Sequence, residues 1–123
     1  MHLLTPETLA RLAREPAVLI GIESTEGSAR REAGTCMLVF ASEVAGTIGG
    51  GQLEFQAIAR ARERLAAPAA ASAAPDVQRY ALGPSLGQCC GGVVYLRYER
   101  TDPAQAAALA ARLTANLQPL ALF

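Results

Sequence analysis

Apolar positions along the chain fall into short runs divided by glycine, proline and polar residues, and their spacing switches between two residues and three or four. Ala17-Val18-Leu19-Ile20-Gly21-Ile22-Glu23 is β-branched and too short for a buried helix, so it predicts a strand buried over much of its length. Residues 35–40 predict a second strand. Residues 77–82 alternate as a strand with one buried face, and residues 93–98 are rich in β-forming types. Helical spacing appears in three places. Thr5-Pro6-Glu7 is a capped start whose helix stops before Pro16, and Asp102-Pro103 opens another with Ala106, Leu109, Ala110 and Leu113 on one face. Between them Leu53, Ala57, Ala61 and Leu65 recur every four residues, with Gln56, Arg60, Glu63 and Arg64 elsewhere on the wheel, so residues 52–65 predict an amphipathic helix packed on a sheet.

Strands mixed with helices, some in hairpin-like pairs and some separated by a helix, predict an α/β or α+β domain with a mixed β-sheet covered by helices. The length of 123 residues suits one domain with its own core. Residues 24–34 are polar and punctuated by two glycines, which predicts a long loop, and the alanine-rich residues 66–75 predict a surface connection. The apolar ending of residues 119–123 is unusual for a terminus and predicts the opening strand of a further domain, making residues 1–118 one domain of a larger protein.

Composition narrows the chemistry. Net charge is zero, charged residues make up 18% of the chain and aromatics are scarce, so nothing favours a nucleic acid as partner. No apolar run approaches the roughly 20 residues of a membrane span, and the N-terminus lacks a leader pattern, which places the expectation in the cytoplasm. Three cysteines, two of them adjacent, do not form a disulfide framework. Cys36 falls within a strand pattern and reads as a small buried apolar residue.

Two glycine-rich stretches stand out. Leu82-Gly83-Pro84-Ser85-Leu86-Gly87-Gln88-Cys89-Cys90-Gly91-Gly92 cannot be a packed element and reads as a functional loop between two strands. Gly46-Thr47-Ile48-Gly49-Gly50-Gly51 leads directly into the second helix, where backbone N–H groups and the helix N-terminus could face an anion such as a phosphate. A tight strand-to-helix turn explains those glycines equally well. Glu54 suits the positive end of the helix, and its functional reading is a carboxylate that hydrogen-bonds an amino-bearing heterocycle. Cys89 and Cys90 lack the partners for a zinc knuckle, since His2 is the only histidine, and a vicinal disulfide is strained. What remains is thiols able to approach a soft metal or take up sulfur, against the plainer view that two small residues fill a turn. Arg30 and Arg31 could clamp an anion, although Glu26 and Glu32 beside them favour a solvated charged loop.

Gly27-Ser28-Ala29-Arg30-Arg31-Glu32-Ala33-Gly34, then Gly46-Thr47-Ile48-Gly49-Gly50-Gly51-Gln52-Leu53-Glu54, then Leu82 through Gly92 together resemble the N-terminal domain of the xanthine dehydrogenase accessory proteins, the XdhC/CoxI family. The resemblance implies a cytoplasmic chaperone, not an enzyme with turnover. Such a protein binds the molybdenum cofactor, assists its sulfuration with a cysteine desulfurase and delivers it to a xanthine dehydrogenase-type apoenzyme, with self-association into a homodimer a further expectation. Carried onto this chain, Cys89 or Cys90 is the thiol near the molybdenum or its sulfur, with Gln88 beside them. Gly49, Gly50, Gly51 and Glu54 then face the pterin or its phosphate, and Arg31 assists an anionic part. Two positions depart from the family pattern: Arg30 stands where a proline is common, and Gln52 where many members have histidine, leaving an amide that can only hydrogen-bond. Members usually continue into a dinucleotide-binding-like second domain. The competing class is a thiol-dependent oxidoreductase that binds a nucleotide, and a third reading is an interaction domain whose glycines only shape turns.

Overall fold

A computed structural model of the chain describes residues 4–27, 35–68, 74–82 and 92–121. Helix α1 (Pro6–Leu12) begins as its sequence predicts, with Thr5 Oγ1 accepting from the amide of Thr8 at 3.1 Å. Strand β1 (Ala17–Glu26) follows, then β2 (Cys36–Val39), β3 (Val44–Gly46), helix α2 (Gly51–Ala66), β4 (Asp76–Ala81) and β5 (Val93–Thr101). A single 3-10 turn over Pro103–Gln105, closed by a reciprocal Asp102–Gln105 capping box, leads into α3 (Ala106–Ala121).

The strands form one sheet in the order β3-β2-β1-β5-β4, and all four pairings are antiparallel. A helix-covered sheet is therefore present, but the expected mixture of parallel and antiparallel pairs is not. Helix α2 does return the chain so that β3 and β4 run the same way. Strands β2, β1 and β5 stand between them, and no parallel pair forms. Three boundaries also differ from the sequence pattern. Strand β1 continues through Ser24, Thr25 and Glu26 because β5 offers a ladder as far as the Glu26–Val93 pair, with a bulge between Ile22 and Ser24. The three-residue β3 has too little alternation to be read from sequence and is held by β2. Residues 119–121, expected to open a strand, instead continue α3.

Alternation along the central strands feeds two cores. Val18, Ile20 and Ile22 point to the face covered by α2, where they join Leu53, Ala57 and Ala61. Ala17 and Leu19 point the other way, toward Leu38 and Phe40 of the next strand and toward Leu12 of α1 and Leu109 and Leu113 of α3. Strand β1 thus buries both faces, which is why its apolar run is continuous rather than alternating.

A polar clamp ties the C-terminal half of α2 to edge strand β4. The Asp76 carboxylate accepts from Arg60 at 2.8 Å, from Arg64 at 3.4 Å and from the Gln78 amide at 3.0 and 2.9 Å. The Arg60 guanidinium also lies over the Tyr98 ring, 5.5 Å from its centroid. Tyr98 is fully buried and its hydroxyl shares a 2.6 Å hydrogen bond with Tyr80; burial first, and that bond second, push its phenol well above the ordinary value. The hydrogen bond from Arg60 is the main cause that holds the Asp76 carboxyl below its usual range, with Gln78 and the charge of Arg64 adding to it. A depressed folded pKa means that the clamp stabilises above the unfolded value near pH 4 and weakens as pH falls through the folded value. Asp76→Asn should therefore lower unfolding free energy by about 1 kcal/mol at neutral pH, with the side chain's partial exposure limiting the effect. Urea denaturation of both proteins should show the gap closing below about pH 4; a gap that is constant with pH would rule out the carboxylate as its source.

Candidate functional site

Because β1, β3 and β4 run in one direction and β2 and β5 in the other, the last residues of β1, β3 and β4, from which the stretches 28–34, 46–51 and 83–91 continue in sequence, all point to the same end of the sheet. These are the three stretches whose composition marked them as candidates. Their feet are partly in contact. A Cβ built on Gly27 would lie 3.2 Å from the Gly92 Cα, so the end of β1 and the start of β5 approach closely, and the φ of +69° at Gly27 favours glycine there. The amide of Leu82 donates to the Gly92 carbonyl at 2.8 Å, closing the base of the segment that carries the two cysteines. Arg30, Arg31, Gln88, Cys89 and Cys90 themselves lie outside the described residues.

The glycine turn stands lower on the sheet. Gly46 pairs with Met37 and Met37 with Ile20, whereas Ala81 pairs with Val93 and Val93 with Glu26. Six residues separate Ile20 from Glu26, on the order of 20 Å along the strand at about 3.3 Å per residue. Ile48 brings the turn back to the sheet. It is buried in the same core cluster as Leu82, the last described residue before the cysteine segment. Ile48 and Leu82 accordingly both pack on the face covered by α2.

Gly49, Gly50 and Gly51 have φ of +117°, +79° and +73°. Gly50, with ψ of −167°, occupies a region of backbone space that is essentially reserved for glycine. The turn these glycines permit is organised around Glu54. One carboxylate oxygen accepts from the amides of Ile48 and Gly50, each at 3.0 Å, and from the Thr47 hydroxyl. Thr47 Oγ1 accepts in turn from the amide of Gly49 at 3.0 Å. The carboxylate therefore sits where the turn would hold an oxygen of an anion, and a phosphate would have to displace it. Of the two roles weighed for Glu54, the local structural one has explicit partners here. Thr47 was not singled out by the sequence, although a hydroxyl two residues before a glycine amide is the signature of a side-chain-closed turn.

Among the described residues no group of three or more His, Cys, Asp or Glu side chains gathers to hold a metal ion. Cys36 packs half-buried against the core beneath α3, and burial pushes its thiol above the ordinary value, so it behaves as an apolar filler rather than a nucleophile. No helix among the described residues is long and apolar enough to cross a membrane.

A five-stranded antiparallel sheet covered on both faces by helices defines a small α/β domain. The family model for the XdhC and CoxI family matches residues 10–81, more than half of the chain. The chain belongs to that family. The matched region includes the glycine turn and Glu54 and ends just before the cysteine segment. Among solved structures it is similar to a Bacillus halodurans protein described as a xanthine dehydrogenase, with a TM-score of 0.62 and 26% sequence identity. That similarity covers 85% of this chain and 34% of the other, so the chain spans about a third of that protein's length. No curated protein matches it.

The geometry of the turn separates two effects. Nothing lies within 4 Å of a Cβ built on Gly50, so Gly50→Ala should cost only its backbone strain, about 1–3 kcal/mol. Glu54→Ala should cost a similar amount, about 1–3 kcal/mol, for a different reason, since it strands the amides of Ile48 and Gly50. Glu54→Gln, which keeps an acceptor oxygen, should recover part of that loss in denaturant titrations. Equal destabilisation by Ala and Gln would mean that the charge rather than the acceptor holds the turn.

Proposed function

We propose that this chain is an accessory protein that receives the molybdenum cofactor as cargo, supports its sulfuration and passes it to a xanthine dehydrogenase-type apoenzyme. The observation that carries the reading is membership of the XdhC and CoxI family, supported by strands β1, β3 and β4 all running toward the end of the sheet from which the three candidate stretches continue. The likeness to a protein described as a xanthine dehydrogenase supports an oxidoreductase of that type as the recipient. A cysteine desulfurase would supply the sulfur, the work would take place in the cytoplasm, and a homodimer would be the acting form.

The residues suit a cargo with a soft centre and a flat ring system. Cys89 and Cys90 provide thiols, the ligand type preferred by soft metal centres, on a segment whose glycines let a bulky group come close. Gln88 offers both donor and acceptor, and Arg31 a guanidinium for an anionic part. The role of the glycine turn is refined by its internal bonds. With the amides of Ile48 and Gly50 already engaged by Glu54, the turn at Gly49, Gly50 and Gly51 serves better as a shaped wall for the ring system than as a phosphate cradle. The cofactor's own centre supplies the redox and sulfur chemistry. The chain's part is to hold the cargo, shield it from water and release it.

The reading is tested by loading the protein with molybdenum cofactor under anaerobic conditions and measuring molybdenum retained after gel filtration. Wild type should retain the metal, and Cys89→Ala or Cys90→Ala should reduce retention about tenfold or more, the loss of one strong contact. Equal retention by wild type and both variants would defeat the thiol assignment.

A further inference from the structure

We draw no further inference here: the strongest candidate, the surface patch along edge strand β4 where Val77, Arg79 and Ala81 are exposed, carries nothing because no observation among the described residues shows what covers it.

Discussion

Strand β1 lies at the centre of the five-stranded sheet, hydrogen-bonded to β2 and β5 along its edges and packed by helices on both faces. That placement forces its first six residues to be apolar or glycine and releases the last four from any such demand. The result is a strand with two halves. Ala17 to Ile22 anchors both cores, while Glu23 to Glu26 runs on beyond β2, supported by the ladder to β5 alone. Tyr95 reinforces that projecting half by donating its hydroxyl to Glu26 at 2.9 Å. The projecting ribbon carries the feet of segments 28–34 and 83–91, and the close Gly27–Gly92 approach at its tip keeps them side by side. A rigid base holding adjacent loops is the usual way for a fold to combine a stable core with a site built from variable segments.

The glycine turn before α2 balances two demands in a different way. Three successive glycines in left-handed or glycine-only conformations leave several amides pointing into one space, and such a space attracts an anion. Here the anion is supplied from within, by Glu54, so the turn is preorganised without a ligand. An internal carboxylate that occupies these amides lowers the turn's appetite for phosphate.

Much of the fold was legible because it follows from burial. The period of two in the strands, the four-residue recurrence of Leu53, Ala57 and Ala61, and the Thr5 and Asp102 caps each reflect a local constraint that acts the same way in any context. What escaped depended on partners distant in sequence. Residues 24–26 are polar and became strand only because β5 was there to pair with them, and β3 exists only as a rider on β2. The all-antiparallel pairing does not follow from the sequence because a helix between two strands fixes their relative direction but not how many strands lie between them. In the site, the glycines announced a turn, yet only the coordinates show that Glu54 fills it.

Helix α2 joins these two lines of evidence, since it carries the candidate site at one end and the clamp to β4 at the other. Glu54 lies in its first turn, and Arg60 and Arg64 reach Asp76 from its C-terminal half. Ten residues separate Glu54 from Arg64 and six separate it from Arg60, about 15 and 9 Å along the axis at about 1.5 Å per residue. Sites more than about 7–10 Å apart with no shared partner behave additively. Losing the clamp should therefore lower stability without opening the turn that Glu54 braces, and losing Glu54 should open the turn without loosening the clamp. One helix can serve both purposes because its buried stripe of Leu53, Ala57 and Ala61 fixes its position on the sheet independently of either end.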